Sequence, residues 1–183
     1  MNKNDIKQNS KFLSLVLRHA PETIGLTLDE NGWANVDELI NLCNSNNQSI
    51  DRDLLELIVK NNDKQRFSFK EDGSKIRANQ GHSIEVDLCL KEVTPPEKLY
   101  HGTVNEFLDA IKSEGLKKMS RQHVHLSKDL ETAIKVGSRR GKPIILEVNA
   151  MRMNNDGFKF YLSENNVWLT DVVPSKYINF PDE

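Results

Sequence analysis

An α+β protein of two lobes is predicted by three observations. Three amphipathic helical segments fill the first third of the chain and run into a β-hairpin signal, the layout of a winged helix-turn-helix. A charged, proline-bearing stretch, Lys91-Glu92-Val93-Thr94-Pro95-Pro96-Glu97, then reads as a linker. Beyond it the texture changes to short strands interleaved with two helices. The lobes are expected to span residues 1–92 and 93–183.

In the first lobe, Phe12, Leu13, Val16 and Leu17 form an apolar stripe at helical spacing that Pro21 ends. Asn35-Val36-Asp37-Glu38 reads as a capping box, with Val36, Leu39, Ile40 and Cys43 on one face of the helix it opens. Asp51 is the expected cap of a third helix carrying Leu54, Leu55, Ile58 and Val59 inward. Phe67 and Phe69 alternate with polar neighbours up to Asp72-Gly73, a hairpin turn, and Ile76 begins the return strand.

In the second lobe, strands are expected at Leu99–Tyr100, Val124–Leu126, Ile144–Val148, Phe158–Leu162 and Val167–Thr170. One helix should carry Phe107, Leu108 and Ile111. Another should run from Asp129 to Val136 behind a Ser127 N-cap.

With 183 residues, 37% hydrophobic and 28% charged, the chain has the make-up of an ordinary globular protein. No apolar run approaches the length of a membrane span, and Met1-Asn2-Lys3-Asn4-Asp5 leads into no apolar h-region. A cytoplasmic protein away from membranes, and a monomer, is expected. Cys43 and Cys89 look like small apolar members of amphipathic segments, so no disulfide framework or zinc site is indicated. Net charge is −2, with 12 Lys+Arg against 15 Asp+Glu through Glu92 and 13 against 12 thereafter. Neither part is a basic field, so any nucleic acid must be held at a site by a few placed arginines.

The histidines point to that site. All five sit in short segments beside arginine, glycine, serine or threonine, the residue types that cradle phosphate and sugar. Arg18 and His19 close the first helix, where cations also complement the helix dipole. Arg66 and Arg77 lie on the hairpin strands, and Arg77 leads into Asn79-Gln80-Gly81-His82-Ser83, rich in donors for sugar or phosphate. Tyr100-His101-Gly102-Thr103 joins a strand to a helix; glycine permits close backbone approach, and His101 and Thr103 can bond ribose hydroxyls. His123 and His125 alternate so that both face one way with Ser127. With no cysteine or acidic residue at ligand spacing, no metal is expected there. Ser138-Arg139-Arg140-Gly141-Lys142 makes a flexible cationic loop able to hold a pyrophosphate, or simply a solvated turn.

The His101-Gly102-Thr103 strand end, the later Ser127 and the Val167-Trp168-Leu169-Thr170 tail resemble the NAD-binding core of the ADP-ribosyltransferases. That superfamily's usual glutamate position falls on Val167, which departs from ordinary protein ADP-ribosylation. One branch fits the departure. From Lys11-Phe12-Leu13-Ser14 through Leu17-Arg18-His19, Gly32-Trp33, Arg66-Phe67, the Arg77–Ser83 run and Arg121-Gln122-His123-Val124-His125-Leu126-Ser127, nearly the whole chain is similar to the NAD-dependent RNA 2′-phosphotransferases. Ser138, where arginine is common, is a small departure.

The resemblance implies a winged-helix lobe presenting an RNA 2′-phosphate and an ADP-ribosyltransferase-like lobe presenting NAD. It maps the family's functional tetrad onto Arg18, His19, Arg66 and Arg121. Arg77, Asn79, Gln80, His82 and Ser83 would contact RNA or phosphate. His101, Gly102, Thr103, His125 and Ser127 would hold NAD, with Arg139 or Arg140 at its pyrophosphate. NAD is then consumed as co-substrate and no metal is called for. Phosphate moves from RNA to NAD through a 2′-phospho-ADP-ribosylated RNA, giving 2′-hydroxyl RNA, nicotinamide and ADP-ribose 1″,2″-cyclic phosphate. Two other readings share these residues: an ADP-ribosyltransferase acting on phosphorylated nucleic-acid ends, and a winged-helix DNA-binding regulator that senses NAD.

Overall fold

The computed structural model describes residues 3–62 and 64–181, so Met1 and Asn2 of the opening segment lie outside the described residues. The chain mixes helices with small antiparallel sheets and divides into two compact units, Met1–Cys89 and Leu90–Glu183.

The first unit holds α1 (Lys3–Arg18), β1 (Ala34–Asn35), α2 (Val36–Ser45), α3 (Arg52–Lys60), β2 (Phe67–Phe69) and β3 (Lys75–Ala78). Helix α2 starts where the Asn35 side chain accepts the Glu38 N–H at 2.9 Å, and α3 where Asp51 accepts that of Leu54 at 2.8 Å. Each cap satisfies a donor the first helical turn leaves over. The hairpin turn is held by Asp72, which accepts the Ser74 N–H at 2.9 Å, while Gly73 takes a φ of 68°. Strand β1, absent from the expected pattern, makes the hairpin a three-stranded sheet by setting Ala34 opposite Ile76. Leu13, Val16, Leu17, Leu39, Leu55 and Ile76 are wholly buried and form the centre of the core.

Cys43 joins that core, where burial pushes its thiol up to about 11. Cys89 corrects the expectation for it. It is exposed, with a left-handed φ of 52°, because Asp87 accepts its N–H at 2.8 Å and turns the chain there.

The second unit holds β4 (Lys98–Thr103), α4 (Leu108–Glu114), β5 (Leu116–Lys117), β6 (Val124–Leu126), α5 (Leu130–Gly137), β7 (Ile144–Asn149), α6 (Ala150–Asn155), β8 (Tyr161–Leu162), β9 (Trp168–Thr170), β10 (Val172–Val173) and β11 (Ile178–Asn179). Strands β4 and β7 pair antiparallel along their whole length, and β11 adds to the other edge of β7. A second sheet runs β6-β9-β8, and β5 pairs β10. Leu99, Leu126, Leu146, Val148 and Phe160 are buried between these layers.

Helix α5 starts at Asp129, not at the expected Ser127. The Asp129 carboxylate accepts the Thr132 N–H at 2.7 Å, while the Ser127 backbone exchanges two 2.8 Å bonds with Tyr100. Serine there extends a strand contact, and the acidic residue two positions on is the better-placed cap. Helix α6 and the two-residue strands β5, β10 and β11 were not foreseen. The Phe158–Leu162 strand shrinks to its last two residues, because Phe158 donates its N–H back to Met153 at the end of α6. Among the described residues no helix is long and apolar enough to cross a membrane.

Candidate active site

In the first unit the end of α1 meets the loop after β3. The Ser83 N–H donates to the Arg18 carbonyl at 2.9 Å, and the Ser83 hydroxyl lies 2.9 Å from His19 Nδ1. These bonds place the His82 ring behind the two α1 residues. His82 is 1% exposed, and both ring nitrogens are buried without a hydrogen-bond partner among the described residues. Burial, and then the positive charges of Arg18, His19 and Arg77, push its pKa down to about 4. The imidazole is therefore neutral at physiological pH, and the field it senses is cationic. Gly32 lies beside this ring, and its left-handed φ of 76° is what calls for glycine there.

The arginines are aimed by their neighbours. Arg77 lies over the Trp33 ring at 4.5 Å and Arg18 stands 6.0 Å from the Phe67 ring. Arg66 Nη1 donates to Asn62 Oδ1 at 3.0 Å, and the Asn62 amide is 3.3 Å from the Ser10 hydroxyl. Asn79 is nearly buried; its amide donates to the Gln65 carbonyl at 2.6 Å, which ties it to the base of the hairpin. Its Oδ1 and the Gln80 Oε1 are buried with no hydrogen-bond partner among the described residues. Arg18, His19, Arg77, His82 and Ser83 thus gather into one group, and Arg66 stands with Arg18 on the wall of a cleft of about 760 Å³. Sequence reasoning gave Trp33 and Asn62 no role. A tryptophan after a glycine, and a polar residue four before Arg66, were the available signals.

In the second unit the bridge between Tyr100 of β4 and Ser127, just past β6, brings two histidines together. His101 Nδ1 donates to the His125 carbonyl at 3.0 Å, and Arg121 Nη1 donates to His125 Nδ1 at 2.8 Å. Burial, outweighing the bond to His125 and helped by the charge of Arg121, lowers the His101 pKa and favours a neutral ring. Both tautomers follow. His101 carries its proton on Nδ1 and leaves Nε2 as acceptor; His125 accepts at Nδ1 and presents Nε2–H as donor. Burial and the Arg140 guanidinium lower the Arg121 pKa, so Arg121 and Arg140 share this neighbourhood, and Arg140 also lies over Phe107 at 5.5 Å. Arg139 is exposed, and no interaction among the described residues ties it to the group. His123 packs against the Tyr161 ring at 5.7 Å.

Gly102 is also required by packing within the unit. A Cβ there would collide with the Ala133 carbonyl and lie 2.8 Å from the Gly137 nitrogen, so the glycine lets α5 rest on β4. Thr103 is buried at the end of β4, while Ser127 pairs through its backbone with Tyr100.

Residues 3–172 match the family model described as RNA 2′-phosphotransferase, Tpt1 / KptA family. The chain is similar to a protein of Flavobacterium johnsoniae named "Probable RNA 2′-phosphotransferase", 66% identical with 98% of this chain and 99% of that one covered. A protein of the same name in Fusobacterium nucleatum is 60% identical over 97% of this chain and 99% of its own length. Another in Rhodopirellula baltica is 56% identical over 94% of each.

Proposed function

The chain belongs to the RNA 2′-phosphotransferase, Tpt1 / KptA family, and from that premise we propose that it removes an internal 2′-phosphate from RNA by transferring it to NAD. We read the first unit as the winged-helix lobe that takes the RNA phosphate. The second unit is the ADP-ribosyltransferase-like lobe that takes NAD.

The phosphate dianion is already a nucleophile at neutral pH, so the first step asks for aim and not for a base. A phosphate oxygen attacks C1″ of the nicotinamide ribose, the C–N glycosidic bond breaks, and nicotinamide leaves with the electron pair. In the second step the ribose O2″ attacks phosphorus. The bond from phosphorus to the RNA 2′-oxygen breaks, O2″ gives up its proton, and the RNA oxygen gains one. The products are 2′-hydroxyl RNA and ADP-ribose 1″,2″-cyclic phosphate.

Arg18 and Arg66 hold the dianion with forked, charge-assisted bonds, and Arg121 adds a third guanidinium to the chemistry. The same forks stabilise the charge that builds on the phosphoryl oxygens in the second step. His19, oriented by Ser83, moves the proton between O2″ and the leaving RNA oxygen. The reaction calls for no metal. His101 and His125 hold ribose hydroxyls, Gly102 backbone atoms hold the nicotinamide amide, and Arg140 or Arg139 meets the pyrophosphate. Val167 removes the acidic residue that a protein or sugar acceptor needs, and a phosphate acceptor does without it.

The observation that carries the NAD assignment is the opposite polarity of two histidines, tied together by the bond from the His101 ring to the His125 carbonyl. His101 offers an acceptor and His125 a donor, a pair suited to neighbouring ribose hydroxyls. The test is incubation with NAD and a short RNA bearing one internal 2′-phosphate, followed by mass spectrometry of both products. Loss of one phosphate from the RNA together with ADP-ribose cyclic phosphate is expected. RNA that keeps an ADP-ribosyl group, or unchanged RNA with intact NAD, overturns the proposal.

A further inference from the structure

In the second unit His101 and His125 have tasks in the proposed reaction, and His123 has none. It immediately precedes β6 and packs against the Tyr161 ring of β8, with ring centroids 5.7 Å apart and planes tilted by 60°. The other aromatic pair among the described residues, Phe158 with Tyr177, belongs to the core. His123 and Tyr161 are only half-buried. Neither the His123 ring nitrogens nor the Tyr161 hydroxyl makes a hydrogen bond among the described residues. Burial and the Lys118 charge, partly offset by that of Asp171, lower the His123 pKa and favour a neutral ring.

The sheet register ties these rings to the chemistry. Val124, Leu126 and Trp168 turn into the core, so the residues alternating with them turn away from it. Tyr161 stands opposite Leu169 and Leu169 opposite His125, which puts Tyr161 and His125 on one face. They are two strands apart, roughly 10 Å at ~4.8 Å per strand. His125 is the ring whose Nδ1 receives the Arg121 guanidinium at 2.8 Å. His101 reaches His125 from the other edge of β6, where Tyr100 bridges to Ser127. The ribose contacts proposed above and the ring pair therefore flank β6 from opposite sides.

We infer that the His123–Tyr161 pair is a nucleobase-stacking site for the acceptor RNA, seating a base next to the 2′-phosphate while Arg121 meets the phosphate. The assignment rests on the function proposed above. Proteins hold single-stranded RNA by stacking its splayed bases on tyrosine and histidine faces. Such stacking tolerates any base, since every base has a π-face. A neutral imidazole and a phenol can be covered by a base without burying a charge, and their unengaged polar ends stay available to its edge. NAD also carries a base. The RNA is favoured because the rings lie on the β8 side of β6, away from His101.

The test uses the full chain, NAD and a short 2′-phosphorylated RNA. A second RNA is identical except that the 2′-phosphorylated nucleotide and its 3′ neighbour are abasic. Tyr161→Leu and His123→Leu keep bulk and remove a ring, whereas Tyr161→Phe keeps the ring. The Tyr161→Leu variant should raise KM for the intact RNA about tenfold, as expected for the loss of one stacked base. The wild-type KM should rise as much on the abasic RNA, and the variant should lose nothing further there. Tyr161→Phe should keep the wild-type KM, and the KM for NAD should stay constant throughout. Unchanged KM for RNA in both leucine variants overturns the stacking site and leaves the function standing. So does an equal rise on intact and abasic RNA, because the rings then meet no base. A rise confined to the KM for NAD gives the rings to the adenine and overturns the RNA assignment. Should a variant fail to fold, a wild type that does not discriminate intact from abasic RNA overturns the site by itself. Failure of the wild type to remove phosphate from the intact RNA overturns the function, and the stacking site with it.

Discussion

The Arg121 guanidinium donates to His125 Nδ1 at 2.8 Å. A guanidinium has no acceptor, so that nitrogen is bare and the ring proton resides on Nε2. The arginine thereby fixes the tautomer of a histidine four residues along. Long-range ¹H–¹⁵N NMR should show the Nε2–H form of His125 in the wild type, and Arg121→Ala should give a tautomer mixture. The same variant should lower kcat by about 10²–10³, the usual effect of removing one preorganised donor. A His125 that stays in the Nε2–H form in the variant would refute the linkage.

His82 makes the fold acid-sensitive. Its pKa is about 4 in the folded chain against an ordinary 6.5, so above 6.5 both states are neutral and the group contributes no pH dependence. As pH falls from 6.5 towards 4 the unfolded chain takes up a proton that the folded chain does not, and stability declines. The loss across that window is on the order of 3 kcal/mol. Urea denaturation at a series of pH values should show this slope, and His82→Asn should remove most of it.

Gly102→Ala should destabilise the second unit by about 1–3 kcal/mol, the cost of forcing a methyl into a packed backbone contact. A calorimetric Tm unchanged by that substitution would show that α5 can move off β4, contrary to the close contact with Ala133 and Gly137.

His19→Ala should separate the two chemical steps. The first needs no proton transfer and should proceed, while the second slows by about 10²–10⁴. Quench-flow with labelled RNA should then reveal an accumulating ADP-ribosylated species. A second step at the wild-type rate would remove His19 from its proposed role.

Much of the first unit was legible because its signals are local. Asn35 and Asp51 cap their helices, and Asp72-Gly73 turns the hairpin, through bonds that span only a few residues. Strand β1 was not legible, since two residues show no period and their partners, Lys75 and Ile76, lie forty positions on. Ser127 failed as a cap for the same reason: its backbone is engaged by distant Tyr100. In the site, residue types disclosed His82 and His101, but not that burial lowers the pKa of both rings.

The amide of Ser83 bonded to the carbonyl of Arg18 joins the last turn of a core helix to the loop bearing His82. Helix ends ordinarily fray before the domain melts, and a loop attached to one would come loose with it. Here the attachment works in the other direction: Leu17, the neighbour of Arg18, is wholly buried, so the helix end is anchored. The Ser83 amide should therefore exchange its hydrogen only as slowly as the core beneath it opens. The wall formed by Arg18, His82 and Ser83 and the hydrophobic centre of this unit would then form a single cooperative block, and warming would abolish the pocket and the fold together.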